Sequence, residues 1–576
     1  MPTSLQQLFA ERLQRDPDRR ALAWYDARGV VEWQTFAQVH RTATHVAARL
    51  REDGLRRGDV CVITLPSSEP SSTVLLAALL AGALPLLVAP PTLQRFNSDL
   101  AKILFRTIEK TRARLVVYGE ALEESDADWS GLERHTRFVA IDDVLRERDG
   151  GADHLPRIRP AADSTAALQL TSGTTTLPRV AVWSQRAVIA ALDGMAVAMR
   201  LAADDVCFNW TPLYHDMGLV NNFLLCLTRG VPLVMMKPQD FVRRPSLWLR
   251  GLHDSGATVT WSPNFGFALA AERIADRDIK GVSLARVRTF WNAAERVHLD
   301  TIRSFEARFA RHGLRANAVK TNFGCVENVG GATFGDVDGP VQVEYVDLGA
   351  LHGRGVAEPA TPGAPSLAIV GVGRPNPGMK CVALATNRRP LGDGKVGELA
   401  FLTPSRMTGY LGDAPATRRA LAGPYLRTGD LGYLRDGEVF WVGRLRERIT
   451  VRGRKIDPSD LESVLGEIRG LRAGCFAAFG VDDPRSGTER IVVVAEAREP
   501  LERGADDIRA DILERVYRRL DLHISEVLLV HGGALSKTSS GKRRHRRFRE
   551  LYLAKALTPF LIAPPLRSRA AARKGV

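Results

Sequence analysis

The chain has 576 residues, 45% hydrophobic and 25% charged, a globular composition that excludes a chain disordered throughout. Its 50 glycines and 31 prolines follow no period, so collagen-like and low-complexity classes are excluded as well. The formal net charge of +15 fits an acidic protein partner, nucleic acid, an anionic membrane or simply an arginine-rich composition.

At roughly 100–200 residues per domain, the length predicts several folding units. The six cysteines are far apart and form no CxxC pair, which favours a reducing compartment and disfavours a structural zinc site. The first residues predict an amphipathic helix without the apolar core of a signal peptide. The longest apolar run, residues 73–89, is short for a membrane span and is interrupted by Gly82 and Pro85. We therefore expect a cytoplasmic protein that does not span a membrane.

Helix and strand patterns alternate through most of the chain, which predicts α/β layers with largely parallel sheets. The predicted helices are residues 35–52, 71–80 and 186–199. The predicted strands are residues 60–65, 84–89, 114–118, 138–141 and 166–170. Residues 335–366 are rich in Gly and Pro and indicate an inserted, loop-rich segment with one helical turn at 347–351.

After residue 443 the sequence becomes dense in Arg, Lys and Glu and then changes to a compact pattern of short elements. The predicted elements are strands at 475–479, 491–496 and 526–530 and a helix at 508–520. We therefore expect a large N-terminal α/β domain built from several subdomains, a small mobile α+β C-terminal domain, and a disordered basic tail. The expected bounds are residues 1–444, 445–564 and 565–576.

A polar loop is predicted between the strand 166–170 and the helix 186–199. It contains hydroxyl residues, a glycine and a terminal cation, in the order Thr171, Ser172, Gly173, Thr174, Thr175, Thr176, Leu177, Pro178 and Arg179. Hydroxyls and backbone N–H groups in such a loop can surround phosphate oxygens. The Gly-Lys-Ser/Thr of a Walker A loop is missing. Taken alone, the stretch is explained at least as well by a solvated Ser/Thr loop.

Two further segments place polar residues beside aromatic ones. Residues 210–218 contain His215 and Asp216, a pair that suits a base at a pocket wall but is more often a hydrogen-bonded core histidine. Residues 322–328 contain Phe323, which could stack on a base, and Glu327, which could hold Mg²⁺ beside phosphates. Alone, a glutamate after a glycine is more often a capping or surface carboxylate.

The last two segments lie toward the C-terminus. Asp430 stands in a Gly-flanked turn, where it could accept hydrogen bonds from both ribose hydroxyls or form a plain Asx turn. Lys542 follows Gly541 in a Ser/Thr-rich loop and could reach a phosphate or carboxylate. The basic residues that follow, up to Arg549, also fit a solvated helix face or a nucleic-acid patch.

In their order and spacing, these segments resemble the adenylate-forming superfamily of acyl- and aryl-CoA synthetases, luciferases and peptide-synthetase adenylation domains. The resemblance covers nearly the whole chain and includes an opening subdomain at residues 55–91. Within the superfamily the chain is most similar to the fatty acyl-AMP ligases. The features are Leu-Gln at 168–169, the run at 212–219, and an insertion before Gly-Arg-Pro at 373–375.

The resemblance implies a two-step reaction that consumes ATP with Mg²⁺. A carboxylic acid, expected to be a fatty acid, becomes acyl-AMP, and a thiol then takes the acyl group. The residues expected to bind the nucleotide are Thr171, Ser172, Gly173, Thr174, Thr175 and Arg179 at the phosphates, Phe323, Gly324, Asn292, Ala293 and Ala294 at adenine, and Asp430 and Arg444 at the ribose. The expected catalytic residues are Glu327 as the Mg²⁺ ligand, Lys542 between substrate carboxylate and α-phosphate, and His215, which with residues 262–265 borders the acyl site.

Some positions depart from the family pattern. The phosphate loop usually ends Gly-x-Pro-Lys-Gly, whereas residues 176–180 read Thr-Leu-Pro-Arg-Val. Phe323 replaces the usual adenine-stacking Tyr, and Glu447 replaces the usual hinge Asp. The expected acceptor is the phosphopantetheine thiol of an acyl carrier protein, but residues 453–458 look more like those of a CoA ligase, so free CoA remains the alternative.

Two other classes of function remain as alternatives. A nucleic-acid-binding protein would use the basic C-terminus, and its affinity would fall steeply with salt. A catalytically silent homologue, suggested by the altered phosphate loop, would bind ATP without turnover. Because Glu327, Asp430, Arg444 and Lys542 are all present, we expect an enzyme that binds no nucleic acid.

Overall fold

The computed structural model describes residues 3–560 except 31, 92–97, 124–128, 130, 147–157, 172–177, 452, 484–487, 502 and 538–542. Contacts divide the chain into two compact units, Met1–Pro362 with Leu367–Leu445, and Gly363–Ser366 with Arg446–Val576. Several predicted site residues lie outside the described residues, namely Ser172, Gly173, Thr174, Thr175 and Lys542. The basic tail predicted at 565–576 lies outside them as well.

The largest sheet of the first unit is built mainly from parallel strands. Across the sheet the order is Arg374–Pro375, Gly330–Phe334, Val319–Cys325, Thr289–Ala293, Val259–Pro263, Cys207–Asn209, Leu233–Met236, Arg20–Asp26 and Gly29–Val30, with Gln34–Thr35 also pairing Arg20–Asp26. The strands from Arg20–Asp26 to Val319–Cys325 are paired in parallel. Parallel strands bring their carboxyl ends to the same edge of a sheet, which is where open α/β sheets bind ligands.

Aromatic side chains fill both faces of this sheet. Trp261 and Trp291 stack on one face with ring centroids 5.5 Å apart. On the other face Phe290 packs edge-on against Trp248, with centroids 5.7 Å apart. These rings are fully buried and fix the strands that end at the candidate site.

A second parallel sheet follows the predicted pattern closely. Its strands, in spatial order, are Leu84–Leu87, Val60–Thr64, Leu115–Tyr118 and Arg137–Ala140. Each falls within one or two residues of its predicted position, because short buried apolar runs bounded by turns determine it. The predicted α/β fold with layered sheets is therefore confirmed.

Other sheets of the first unit are antiparallel, so the expectation of largely parallel sheets holds for only part of the unit. One contains Gly409–Tyr410, Val180–Ser184 and Thr165–Leu170, in that order. Another contains Lys380–Leu384, Gly397–Leu402, Leu426–Arg435 and Glu438–Arg444. Thr165–Leu170 with Val180–Ser184, and Leu426–Arg435 with Glu438–Arg444, are neighbours in sequence, whereas Gly409–Tyr410 pairs with Val180–Ser184 across more than two hundred residues.

Helices surround these sheets. The α-helices described in the first unit are Leu5–Arg15, Phe36–Glu52, Glu69–Leu80, Ser98–Thr111, Glu120–Glu123, Ile141–Leu145, Gln185–Ala198, Asp216–Gly218, Leu225–Arg229, Pro238–Arg243, Ser246–Ser255, Asn264–Arg273, Leu299–Phe309 and Ala414–Ala420. Shorter turns of 3₁₀ or π type lie at Leu219–Leu224, Asp276–Ile279, Ala310–His312, Val326–Asn328 and Ala350–Arg354. Within the described ranges, none of the helices combines the length and the apolar character needed to cross a bilayer.

Helix starts follow sequence signals. The Thr35 side chain accepts from the Gln38 N–H and the Gln38 side chain accepts from the Thr35 N–H, a capping box that begins Phe36–Glu52. The Ser4 side chain caps Leu5–Arg15 by accepting from the Gln7 N–H. The predicted helix starts at 35, 71 and 186 are accurate to within two residues, whereas the helix predicted at 508–520 begins three residues earlier, at Ala505.

The inserted segment contains more regular structure than its composition indicates. It includes the strand Val343–Asp347, which pairs with Ser366–Val370, and the π-turn Ala350–Arg354. The helical turn predicted at 347–351 is displaced because Asp347 Oδ1 accepts from the Ala350 N–H at 2.7 Å and so caps a turn that begins later. The strand was missed because its partner lies beyond the local sequence window.

The second unit is a small mixed layer structure. Its sheet contains Leu471–Asp483, Thr488–Ala497 and Glu526–Val530, and a separate hairpin contains Ile449–Val451 and Arg454–Ile456. Its helices are Pro458–Leu465, Ala505–Leu520 and His545–Leu553. The first two strands extend beyond the predicted 475–479 and 491–496, because antiparallel pairing continues through polar pairs such as Asp482–Glu489. Propensity alone does not mark such residues as strand.

Candidate active site

Glu327 lies at a turn directly after the strand Val319–Cys325. Its carboxylate Oε1 accepts a hydrogen bond from the Tyr410 hydroxyl at 2.6 Å. Burial raises the pKa of Glu327 above its ordinary value, although the Tyr410 hydrogen bond and the positive charge of Arg444 act in the opposite direction. The site therefore holds a carboxylate that a cation would stabilise.

Tyr410 links Glu327 to the predicted phosphate loop. The Arg179 guanidinium lies over the Tyr410 ring, 5.4 Å from its centroid, and its Nε donates to Asp413 Oδ2 at 3.0 Å. Thr171 and Arg179 close the base of the loop, since the Thr171 N–H donates to the Arg179 carbonyl at 2.8 Å and the Arg179 N–H to the Thr171 hydroxyl at 3.0 Å. Residues 172–177 between them lie outside the described part of the chain.

The predicted ribose pair is formed by two adjacent antiparallel strands. Asp430 and Arg444 are directly paired in register, and Arg444 Nε lies 3.2 Å from Asp430 Oδ1. The Trp441 indole N–H donates to the same oxygen at 3.1 Å. Asp430 is buried, whereas the Arg444 side chain is 41% exposed, so a fixed carboxylate lies beside a more accessible cation.

The predicted adenine wall begins with Phe323, which stacks on Phe401 with centroids 5.9 Å apart and rings nearly parallel. A ring held this way presents a flat apolar surface, as the usual Tyr would, without a hydroxyl. At Gly324, a Cβ would lie 2.6 Å from the Gly330 carbonyl oxygen, so only glycine fits the close approach of these two backbones.

The other side of the predicted adenine site is the carboxyl end of Thr289–Ala293. The buried Asn292 donates from Nδ2 to Asn264 Oδ1 at 3.1 Å, and its Oδ1 has no hydrogen-bond partner among the described residues. An adenine amino group would satisfy that orphaned acceptor. Ala294 follows with a left-handed φ of 71°, which turns the chain sharply at this point.

The predicted acyl-site residues join the same edge. Asn264 connects to Asn292, and the Phe265 N–H donates to Glu295 Oε1 at 2.6 Å, so the segments 262–265 and 292–295 are held together. His215 caps the short helix Asp216–Gly218, where its Nδ1 accepts from the Met217 N–H at 3.2 Å and lies 2.8 Å from Asp216 Oδ1. This local capping contact accounts for the histidine's conformation, and its role in chemistry stays a prediction.

Direct contacts and charge connect the first four segments. Gln169 Nε2 donates to the Tyr214 carbonyl at 2.9 Å, and the Trp183 indole donates to the Val326 carbonyl at 2.8 Å. Burial, and then the negative charges of Glu327 and Asp430, raise the pKa of Cys325, which places both carboxylates near this thiol. The fifth segment belongs to the second unit.

These residues fit a nucleotide with its metal ion. Among the described residues no cluster of three or more His, Cys, Asp or Glu side chains could hold a metal by itself. Mg²⁺ is commonly bound by one or two carboxylates together with substrate phosphates. Glu327 beside the loop closed by Thr171 and Arg179 provides such a partial ligand set.

Comparison with known proteins identifies the family. The family model described as AMP-binding enzyme matches residues 9–411. The chain belongs to the AMP-binding enzyme family. This membership confirms the resemblance seen in the sequence and the predicted class of enzyme, an AMP-forming ligase, for which ATP is the nucleotide. Mg²⁺ and the individual residue roles stay predictions.

Relatives of this AMP-binding enzyme match it over nearly its full length. It is 30% identical to a 4-hydroxyphenylalkanoate adenylyltransferase of Mycobacterium tuberculosis, covering 96% of this chain and 92% of the relative. It is 27% identical to the long-chain-fatty-acid–AMP ligase FadD26 of Mycobacterium bovis, covering 95% and 97%. A solved chain from a study of fatty acyl-adenylate ligases from E. coli and L. pneumophila has a TM-score of 0.85 at 24% identity, covering 96% and 98%, which supports the fold.

Sequence reasoning missed Tyr410, Trp441 and Asp413 as site residues of this AMP-binding enzyme. Tyr410 donates to Glu327, Trp441 donates to Asp430, and Asp413 accepts from Arg179. Tyr410 and Asp413 are far from their partners in sequence, and Trp441 lies on a strand that the sequence analysis did not predict. The Gly-Tyr dipeptide at 409–410 was the available signal, since it pairs with Val180–Ser184 next to the phosphate loop.

Proposed function

We propose that the protein activates a fatty acid as acyl-AMP and transfers the acyl group to the phosphopantetheine thiol of an acyl carrier protein. The observation that carries the first step is the grouping of Glu327 with Asp430 and Arg444 beside the loop closed by Thr171 and Arg179. The fatty acid is supported by the relatives, which include a ligase named for long-chain fatty acids.

In the first step the substrate carboxylate attacks the α-phosphorus, the bond to the β-phosphate breaks, and pyrophosphate leaves. The main task is to position two anions and offset their repulsion. We assign Asp430 and Arg444 to the ribose, and Phe323 and Asn292 to adenine. Arg179 and the hydroxyls of residues 171–175 bind the β- and γ-phosphates, and Lys542 binds between the carboxylate and the α-phosphate.

Glu327 holds the metal ion in this proposal, and Mg²⁺, when bound, neutralises phosphate charge. The Tyr410 hydroxyl fixes the carboxylate by donating to Oε1. In the second step the thiol sulfur attacks the acyl carbonyl carbon, AMP leaves, and a thioester forms.

A panel of carboxylic acids tests the first step. With ATP and Mg²⁺, medium- or long-chain fatty acids are expected to give pyrophosphate and, by mass spectrometry, the matching acyl-AMP. Release above background should depend on the acid, and aromatic and amino acids serve as the comparison classes. If no acid in any class yields an adenylate, the proposed activity is wrong.

Charge supports the carrier protein as acceptor. Carrier proteins are usually acidic, and complementary charge raises the encounter rate. The basic cluster after Lys542 is smaller than its sequence indicates, because Arg543 bonds to Glu462 and Arg544 is buried. Arg546 is exposed, and Arg547 and Arg549 are partly exposed; their ion-pair partners are Glu550 and Asp482. We name these three arginines the basic patch.

The inserted segment and the motif at 453–458 support different acceptors. By resemblance, the insertion disfavours CoA, whereas Gly-Arg-Lys-Ile-Asp-Pro at 453–458 is typical of CoA ligases. In the structure this motif forms the return strand of a hairpin, with Gly453 at a φ of 83° and Arg454 Nη1 donating to the Asp521 carbonyl at 2.8 Å. We give the carrier protein preference because the exposed basic patch adds a second argument.

A competition identifies the acceptor. Acyl-AMP formed in place is offered equal concentrations of CoA and holo-carrier protein, and both thioesters are quantified at low and high salt. We expect the carrier thioester to dominate and its rate to fall with salt. Dominant acyl-CoA would make the protein an acyl-CoA synthetase.

The basic patch has its own control. Arg546→Glu with Arg547→Glu is expected to lower carrier loading several-fold without changing pyrophosphate release. Arg518→Glu serves as the matched change, because Arg518 is an exposed arginine on another helix of the second unit and pairs with Glu514. Equal effects of both changes would remove the patch as the docking surface.

A further inference from the structure

The two residues on either side of the Lys542 segment pair with each other. Lys537 and Arg543, which flank residues 538–542, are joined by an antiparallel bridge. The two ends of the segment therefore start from one point, and whatever holds Arg543 and the residues after it also fixes where the lysine segment begins.

Buried charges hold that pair. Glu462, on the helix Pro458–Leu465, has a side chain only 3% exposed, yet it faces two cations. Arg543 Nη1 lies 3.2 Å from Glu462 Oε2, and His545 Nε2 lies 2.6 Å from Glu462 Oε1. Arg543 also lies over the Phe476 ring, 4.6 Å from its centroid. A buried carboxylate of this kind needs such partners, so the cluster is strongly specified.

The second ring nitrogen of His545 faces another carboxylate. Nδ1 lies 3.4 Å from Glu447 Oε2, and both side chains are mostly buried. Glu447 stands two residues after Leu445, the last residue of the first unit, at the position where the family resemblance puts the hinge. One imidazole therefore connects the hinge residue, a helix of the second unit and the base of the lysine segment.

We propose that His545 is a positioning residue for adenylation, which ties the Lys542 segment to the hinge residue Glu447 through its contacts with both Glu447 and Glu462. This inference rests on the proposed function, since it assigns His545 an effect on the step that Lys542 serves. His545 itself contacts neither reactant. Its effect is to keep the lysine segment and the hinge in one arrangement.

The charge state of His545 follows from the groups that face it. Burial favours the neutral ring, but the carboxylates of Glu462 and Glu447 prevail over burial and over the charge of Arg543, and raise the pKa of His545 to about 9. The folded-state pKa lies above the unfolded value, so the contribution of protonated His545 to folding stability is fully present below about pH 6.5 and is lost as pH rises through about 9. His545 is therefore charged, and paired with Glu462 and Glu447, at neutral pH.

His545→Gln tests the proposal because glutamine can still donate to Glu462 but carries no charge. We expect acyl-AMP formation to fall about 10–100-fold, the usual effect of removing a partner that orients a functional group. Thiolysis of preformed acyl-AMP is expected to change less. The alkaline limb of the wild-type rate near pH 9 should move to higher pH in this variant, because the group that produces it is gone.

Glu447→Gln is the second variant, because it leaves the buried His545–Glu462 pair in place. Loss of one carboxylate lowers the pKa of His545, so the alkaline limb should move to lower pH, opposite to the shift in His545→Gln. His531→Gln is the matched control, since His531 pairs with Glu499 at 2.9 Å but is exposed. We expect it to keep the wild-type rate and profile.

The outcomes separate the inference from the proposed function. If the wild-type protein releases no pyrophosphate with any acid, the proposed function fails. If it does, and His545→Gln keeps its rate within twofold and its alkaline limb, the positioning role is overturned. Equal losses in both half-reactions with an unmoved limb would also overturn it. Circular dichroism checks folding, and Glu447→Gln decides the question if His545→Gln does not fold.

Discussion

Replacing Lys542 with alanine is expected to slow acyl-AMP formation by about 10²–10³-fold, or roughly 3–4 kcal/mol, by analogy with the removal of one contact to developing charge. An ammonium group there offsets the repulsion between the attacking carboxylate and the α-phosphate. The measurement is pyrophosphate release with the best acid of the panel. Thiolysis of preformed acyl-AMP should suffer less, because in that step no carboxylate attacks the α-phosphate and there is no such repulsion to offset.

Lys537→Ala is the matched control for that variant. Lys537 lies at the other end of the same segment, where its charge lowers the pKa of Cys475 against the larger effect of burial. We expect Lys537→Ala to keep adenylation within a few-fold and ATP binding to stay nearly intact in both variants. If Lys542→Ala adenylates normally while Lys537→Ala does not, the roles of the two lysines are exchanged.

Replacing Glu327 with glutamine is expected to reduce acyl-AMP formation by a similar factor, about 10²–10³-fold, because a neutral amide provides no charge for the metal ion. The loss should appear as a higher Mg²⁺ requirement when pyrophosphate release is titrated with the metal. ATP binding measured without metal should change little. A variant with the wild-type Mg²⁺ titration would remove Glu327 as the ligand.

Tyr410→Phe gives a graded version of this test. The hydroxyl that it removes donates to Glu327 Oε1, so Mg²⁺ affinity should fall by about 10–100-fold. Burial already raises the pKa of Glu327, and the Tyr410 hydrogen bond lowers it, so the acid limb of adenylation should move to higher pH in the variant. Tyr433→Phe is the control, since Tyr433 donates to Glu344 at 2.9 Å in a different network.

Much of the fold was predictable because local signals decide it. The helix at 36–52 follows from its capping box, and the strand at 115–118 from a short buried run. The strand Val343–Asp347 was not predicted, because its pairing partner Ser366–Val370 is distant in sequence and the strand lies in a segment rich in Gly and Pro. Local propensity also gave no basis for the antiparallel sheets that hold Asp430 and Arg444.

The sequence indicated residue types for the candidate site, whose roles stay predictions, but it did not indicate the contacts that hold those residues. The order of the motifs shared with the resembling family pointed to Glu327 and Asp430. Their hydrogen-bond partners, Tyr410 and Trp441, lie outside those motifs and reach them only through the tertiary fold. The basic run after Lys542 misled for a related reason. A charged residue in sequence is expected in solvent, whereas His545 is buried against two carboxylates that only the fold brings to it.

The position of the strand Arg20–Asp26 in the largest sheet affects how the chain is made. Its parallel partner is Leu233–Met236, with Leu22 opposite Leu233. At roughly 5–20 residues per second of synthesis, a gap on the order of two hundred residues means that the first strand waits about 10–40 s for its partner to leave the ribosome. The nearby strands Gly29–Val30 and Gln34–Thr35 pair with one edge of this strand, but its other edge stays open on the nascent chain during that time, which is when such a segment is most exposed to aggregation and most in need of a chaperone.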